Sequence, residues 1–225
     1  MVPLSFAAEE FVLAVGRALY WPRERALIVA DLHLEKASYY ATTGQMLPPY
    51  DSRETLERVA SAIRLTGARR VFTLGDNFHD ADGPRRMEPH AAGMLDALVR
   101  AVDWVWITGN HDGEATAPAG GTMLAELEVS SIALRHRATP GESGPELSGH
   151  FHPQLTVTAR GRRIRRHCAV KSERRMILPA FGALTGGMDA GDPAILDAMQ
   201  PAGEIDAVVS AAGRLLNFPL WRAAA

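Results

Sequence analysis

Ala26-Leu27-Ile28-Val29-Ala30-Asp31-Leu32-His33 is the stretch on which the reading of this chain turns. Its uninterrupted apolar run fits a strand buried on both faces, because a half-exposed strand would alternate apolar and polar residues. The run then stops at an acid and a histidine. Two later runs stop the same way: Arg70 to Leu74 leads into Gly75-Asp76-Asn77, and Trp104 to Thr108 leads into Gly109-Asn110-His111-Asp112. Between them, Ser52 to Leu65 places Leu56, Val59, Ala60 and Ile63 on one helical face, with Asp51 or Ser52 available as cap. Glu88 to Val102 is a second helix with Met94, Leu95, Leu98 and Val102 inward. Strand and helix alternate as they do in parallel βαβ units.

The flanks read differently. Phe11 to Val15 and Arg17 to Trp21 are two short strands with a hairpin at Gly16. After Val129 come the β-like runs Ser130–Leu134, Leu155–Ala159, Arg163–Val170 and Met176–Leu178, with a turn at Gly161-Arg162. This half is expected to be antiparallel sheet, with helical or mixed structure from Asp192 and a frayed Ala223–Ala225 end. Helix–sheet–sheet–helix layering accommodates both halves, so the expected architecture is one α/β domain over residues 1–225.

Composition narrows the class. A chain of 225 residues can bury one substantial core. With 47% apolar and 22% charged residues it has the balance of an ordinary globular protein. Cys168 is the single cysteine, which excludes an internal disulfide and a thiolate zinc cluster and is compatible with a reducing compartment. No run approaches the roughly 18 apolar residues of a membrane span, and Glu9 and Glu10 interrupt any leader-like stretch. The expected location is the cytoplasm. A net charge of −2 neither demands nor excludes a nucleic-acid partner.

The polar words carry the chemistry. With Gly149-His150-Phe151-His152, they hold four of the eight histidines together with Asp31, Asp76, Asn110 and Asp112. Carboxylate oxygen, imidazole nitrogen and amide oxygen are ligands for hard or borderline divalent ions. Asp31 and His33 are two apart, so on an extended segment they face the same way, and His150 and His152 repeat that spacing. A carboxylate following Gly75 can bridge two ions roughly 3.5–4 Å apart. Taken singly, each word also reads as a turn. Their ordered conjunction at strand ends points to a two-metal hydrolase of phosphate esters.

In order, D-x-H, G-D, G-N-H-[ED], a lone His and G-H-x-H resemble the calcineurin-like metallophosphoesterase superfamily, whose fold is a four-layer α-β-β-α sandwich. The resemblance implies Asp31, His33, Asp76 and His152 on one metal, and Asp76, Asn110, His136 and His150 on the other. His136 has only the end of a strand at Leu134-Arg135 to recommend it, while His90 and His167 fit worse. His111 resembles the family's non-ligand histidine, with Asp112 placed to orient it. Two ions flanking one water lower its pKa from about 15.7 toward roughly 7, making hydroxide available for in-line attack on phosphorus. Mn²⁺ is the favoured ion, and Fe or Zn suits the same ligands.

Four stretches narrow the resemblance: Asp31 to Lys36, Gly44 to Asp51, Leu74 to Asp80 and Leu178 to Gly187. They are similar to the bacterial ligase-associated DNA damage response endonuclease (PdeM) family. That kinship implies a nuclease linked to DNA repair, with an ATP-dependent DNA ligase and a helicase as associated proteins. The alternatives are a phosphomonoesterase or small-nucleotide hydrolase on the same metals and, against the filled ligand set, a non-catalytic scaffold. Candidate substrate contacts are His79, Arg162, Arg165 and Thr185. His79 and Asp80 also read as a structural pair, and Lys36 reads either as a phosphate contact or as a solvated lysine. Arg160 to Arg175 carries a net +7 over sixteen residues, leaving −9 for the rest. That run reads either as an anion track or as the solvent or oligomer-facing side of a hairpin. Tyr39, Tyr40 and Tyr50 are candidates for substrate or subunit contact.

Overall fold

The computed structural model describes residues 1–14, 17–113, 119–159 and 161–224. Strands β1 (Val2–Phe6), β2 (Glu9–Leu13), β3 (Leu19–Trp21) and β4 (Ala26–Val29) run antiparallel in sequence. β5 (Arg70–Leu74), β6 (Asp103–Ile107) and β7 (Thr122–Leu124) extend the same sheet parallel to β4. Helices α1 (Lys36–Thr42) and α2 (Asp51–Thr66) fill the first crossover, and α3 (Gly83–Arg86) and α4 (Pro89–Ala101) the second.

The second sheet contains β8 (Glu126–Val129), β9 (Ile132–Arg135), β10 (Glu146–Ser148), β13 (Ala169–Lys171), β14 (Arg175–Ile177), β15 (Glu204–Ala211) and β16 (Arg214–Arg222). Its spatial order is β16-β15-β13-β14-β10-β9-β8. β11 (Gln154–Ala159) and β12 (Arg162–His167) form a separate two-stranded ribbon, and α5 (Pro193–Ala198) packs beyond the second sheet.

Side-chain alternation assigns the layers. In β4, Ala26 and Ile28 face the second sheet while Leu27 and Val29 face the helices. In β6, Val105 and Ile107 take the first direction and Trp104 and Trp106 the second. Leu56, Val59 and Ala62 of α2 meet Ala91, Leu95 and Val99 of α4 over that outer face. A third apolar cluster joins the far side of the second sheet to α5 and the ribbon through Val170, Ile177, Ile195, Met199 and Leu155. The result is the expected helix–sheet–sheet–helix sandwich, with a thin fourth layer.

Several local expectations are corrected. Tyr50, not Asp51 or Ser52, is the N-cap residue of α2, and no side chain caps it. Asp51 instead accepts from the Ala37 N–H, and Ser52 bonds both the backbone N–H and the carboxylate of Glu35, so they secure the start of α1. The run Arg163–Val170 is two strands in different sheets, β12 and β13. The second sheet is mixed, because β10 pairs parallel with both β9 and β14. The tail after α5 is a long β hairpin whose outer strand, β16, never becomes fully buried and so lacks a clear period-two signal. Val15, Gly16, Arg160 and Ala225, on which parts of the hairpin, charge and tail readings fall, lie outside the described residues.

Candidate metal centre

Every predicted ligand sits just beyond the carboxyl end of a strand: Asp31 and His33 after β4, Asp76 after β5, Asn110 after β6, His136 after β9, His150 and His152 after β10. They do not converge by the extended geometry read from their spacing. Asp31 (φ 52°), His33 (φ 43°), Asp76 (φ 37°), His150 (φ 72°) and His152 (φ 49°) all adopt left-handed backbone. For non-glycine residues such conformations cost on the order of 1–3 kcal/mol each and persist only where surroundings over-determine them. Here the loops are laced together. The His33 and Leu34 N–H groups donate to Asp76 O (2.9 Å) and Asn77 O (3.0 Å), and the Gly149 N–H to His136 O (2.8 Å).

Three groups of donor atoms result, each with its atoms within 4.8 Å of one another: His33, His79 and His111 form an all-imidazole one, and two contain carboxylates. Of these two, one is Asp31, His33, Asp76 and His152; the other is Asp76, His136 and His150. His33 Nε2 lies 3.2 Å from His152 Nε2 and 3.8 Å from Asp76 Oδ2. His136 Nε2 lies 3.4 Å from Asp76 Oδ1, 2.9 Å from Asn110 Oδ1 and 3.0 Å from His150 Nδ1. Asp76 belongs to both carboxylate-containing groups, His136 belongs to the second, and Asn110 Oδ1 adjoins it at His136. Main-chain N–H groups orient the carboxylates: His150 N–H donates to Asp31 (3.0 Å) and His111 N–H to Asp76 Oδ1 (3.0 Å).

The electrostatics fit divalent cations. Asp31 is 0% and Asp76 2% exposed. Among the described residues, neither has a Lys or Arg in ion-pair range; their close titratable partners are histidines. Burial pushes the His33 imidazole down to about 2, with His152 and Lys36 adding to the effect, so the ring is neutral and can offer a lone pair. Burial, followed by His136, also lowers His150. Buried carboxylates without cations are strongly unfavourable, and a set of acceptors converging on them is a metal-binding chemistry.

The glycines of the polar words make room for ligands. A Cβ at Gly75 would overlap the His136 ring, and one at Gly109 would overlap the Asp76 carboxylate and backbone N. One at Gly149 would come within 2.6 Å of Asp31 Oδ2. A turn reading alone does not account for this crowding.

His111 and Asp112 have separate jobs. The His111 Nδ1–H donates to His79 O (2.7 Å), leaving Nε2 turned toward the centre, 3.9 Å from Asp76 Oδ2. Asp112 does not orient that ring. Its carboxylate is buried and accepts from Phe78 N–H (3.0 Å), Gly109 N–H (2.8 Å) and Asn77 Nδ2 (2.9 Å). It therefore pins the Asp76 and Asn110 loops against each other, while burial raises its pKa.

His79 stacks with His111 at a ring-centroid distance of 5.4 Å and with Tyr40 at 5.6 Å, and Tyr39 meets it edge-on at 4.8 Å. Burial and then Lys36 lower His79 to about 4. Asp80 pairs with Arg86 rather than with His79. Lys36 is half-buried beside this cluster, not a solvated surface lysine. The Thr185 hydroxyl donates to Gly182 O (2.8 Å) and so closes its own turn. His90 lies exposed at the start of α4. Arg162 and Arg165 are both exposed on β12, at positions that alternate in facing. The reading of the sequence missed Arg17, which meets His167 at 3.0 Å and the carbonyls of Phe181 and Gly182. An isolated arginine beside a turn carries no pattern that would have found it.

A two-sheet sandwich with Asp, His and Asn converging at strand ends defines a metallohydrolase. The chain belongs to the calcineurin-like phosphoesterase family, whose pattern it matches over residues 24–211, and it is a metal-dependent phosphoesterase. It is similar to tartrate-resistant acid phosphatase type 5 of Rattus norvegicus, 30% identical over 95 residues. That match takes in 39% of this chain and spans 27% of the relative's length. The Sus scrofa protein gives the same identity over 26% of its length. In structure the chain is similar to the nuclease MPE of Pseudomonas putida: TM-score 0.73, 29% identity, covering 96% of this chain and 98% of that one. Among the described residues, no helix is long and apolar enough to cross a membrane.

Proposed function

We propose that this chain is a binuclear metal-dependent phosphodiesterase that cuts nucleic acid, with a role in DNA repair in the cytoplasm. The observation that carries the reading is Asp76, a buried carboxylate shared between the two carboxylate-containing donor groups. Asp31, His33, Asp76 and His152 hold one ion; Asp76, Asn110, His136 and His150 hold the other. Bound there, divalent ions neutralise charge on a phosphoryl group and acidify a water to a pKa near roughly 7. Mn²⁺ suits this nitrogen and oxygen set, which contains no thiolate, and Fe and Zn are the competing ions. One apolar cluster joins the two sheets, and one more lies on the outer side of each, which supports a single domain over residues 1–225.

The protein's own groups complete the chemistry. His111 is held by His79 O through Nδ1, and its side chain is 39% exposed, so Nε2 can reach a substrate oxygen. It delivers a proton to the departing oxygen, a contribution typically worth about 10²- to 10⁴-fold. Lys36 and His79 border the same opening and contact the phosphate or the adjoining base. The likeness to a nuclease over nearly the whole of both chains supports a nucleic-acid substrate. A panel comparing a bis-aryl phosphate, an aryl monophosphate and single- and double-stranded DNA under Mn²⁺, Fe²⁺ and Zn²⁺ tests the reading. Preference for diesters and cleavage of DNA are expected; a strong preference for the monoester overturns it.

A further inference from the structure

The arginines of β12 are not equivalent. In the antiparallel ribbon, Gln154 pairs with His167, Thr156 with Arg165 and Thr158 with Arg163. Directly opposed residues share a face, so Arg163, Arg165 and His167 lie together. Leu155 pairs with Arg166 and Val157 with Ile164 on the other face, which Leu155 and Val157 anchor to the apolar cluster beneath the second sheet. Arg162 alternates onto that second face as well.

The first face continues to the metal centre. Arg165 donates to Gly187 O, and Gly187 packs so tightly on His152 that a Cβ would overlap the His152 carbonyl oxygen. His167 accepts from Arg17 Nη1 at 3.0 Å. Arg17 Nη2 donates to Phe181 O (3.1 Å) and Gly182 O (3.3 Å), and Gly182 abuts Leu32 O, between Asp31 and His33. Arg165 and Arg17 thus both lead back to the ligand loops. Among the described residues, Arg17 and the β12 arginines Arg162, Arg163, Arg165 and Arg166 have no carboxylate in ion-pair range, whereas Arg23, Arg58, Arg70, Arg86, Arg135 and Arg222 each do, so it is facing that sorts the β12 arginines. The concentration of positive charge is felt locally: burial, then Arg17 and Arg165, pushes His167 down to about 4.

We infer that Arg163 and Arg165, backed by Arg17 and the neutral His167 that fix this face against the ligand loops, form a phosphate-binding strip on the His152 side of the metal centre, which holds the backbone of a nucleic-acid strand beyond the scissile phosphodiester. Arg162 and Arg166 are not part of it. The inference rests on the nuclease reading above and adds to it the direction in which the strand leaves the centre. Guanidinium groups without acidic partners suit phosphate oxygens, and each such contact adds affinity that falls with salt.

The test compares two variants that lose the same charge from the same strand, Arg163→Gln/Arg165→Gln and Arg162→Gln/Arg166→Gln. Each Mn²⁺-loaded full-length protein is assayed on a single-stranded oligodeoxynucleotide and on bis(p-nitrophenyl) phosphate at several salt concentrations. For the first variant, kcat/KM on the oligonucleotide is expected to fall about tenfold or more relative to that on the small diester. Its salt slope should shrink by about 0.7 per lost contact, while the second variant keeps the wild-type ratio and slope. Equal losses in both variants, or no loss in either, overturn the strip and leave the nuclease reading standing. If the wild-type protein hydrolyses the small diester but cuts no oligonucleotide, the nuclease reading fails and the strip fails with it.

Discussion

His136 Nδ1 lies 3.1 Å from Leu74 O while Nε2 lies 3.4 Å from Asp76 Oδ1. A carbonyl can only accept, so Nδ1 carries the hydrogen and Nε2 presents its lone pair to the centre. Leu74 is the last residue of β5 and Gly75 and Asp76 follow it. One short segment therefore sets the tautomer of a ligand and supplies the shared carboxylate, with Gly75 leaving space for the ring between them.

Gly75→Ala is accordingly expected to strip one ion selectively. The added Cβ overlaps the His136 ring, and Gly75 has φ +82°, which an L residue resists. Elemental analysis after Mn²⁺ reconstitution should fall from near two ions per chain to about one. Retention of both would show that His136 is not a ligand.

Asp112→Ala should cost stability before it costs chemistry. It leaves Phe78 N–H, Gly109 N–H and the Asn77 amide without their acceptor in a buried place. A loss of about 2–4 kcal/mol is expected from urea unfolding of the metal-free protein. A change under about 0.5 kcal/mol, the range of ordinary surface substitutions, would remove the pinning role.

His111→Ala should separate metal binding from turnover. The ring belongs to neither carboxylate-containing donor group, although it stands with His33 and His79 in the all-imidazole one, and alanine retains the backbone N–H to Asp76. Metal content should stay at the wild-type level while turnover on DNA falls by about 10²- to 10⁴-fold. Wild-type turnover with intact metal would exclude His111 as proton donor.

Acid should destabilise the metal-free protein within a defined window. His167 is held near about 4 and His33 near about 2, both chiefly by burial, whereas unfolded histidine titrates near 6.5. Between those values the unfolded chain binds protons that the folded chain refuses, so stability rises with pH there and is lost as pH falls. The urea midpoint should be flat above about pH 7 and decline from about 6.5 toward 5. His167→Gln should remove part of that decline. A midpoint unchanged across the window would contradict the burial of neutral imidazoles.

Much of this was legible because the chemistry depends on residue type and order. Asp31, Asp76, Asn110 and the Gly149-His150-Phe151-His152 word stand directly after apolar runs that alternate with helices, and the structure brings all of them together. Their convergence depends on left-handed φ at Asp31, His33, His150 and His152, which leaves no periodic trace in sequence. Asp112 was misjudged because adjacency to His111 says nothing about where a side chain points. The arginine run could not be sorted into two faces until the pairing of Thr156 with Arg165 fixed the register. The β15–β16 hairpin escaped notice because a half-exposed edge strand need not alternate.

The most direct measurement of the central claim is metal content and diester hydrolysis, taken together on chelator-treated protein titrated with Mn²⁺. Inactivity of the stripped protein is expected, with hydrolysis of bis(p-nitrophenyl) phosphate appearing as occupancy approaches two ions per chain, and with Asp76→Asn losing both together. Full hydrolysis at one ion per chain or fewer, or at wild-type rate in Asp76→Asn, would contradict a binuclear centre built on Asp76.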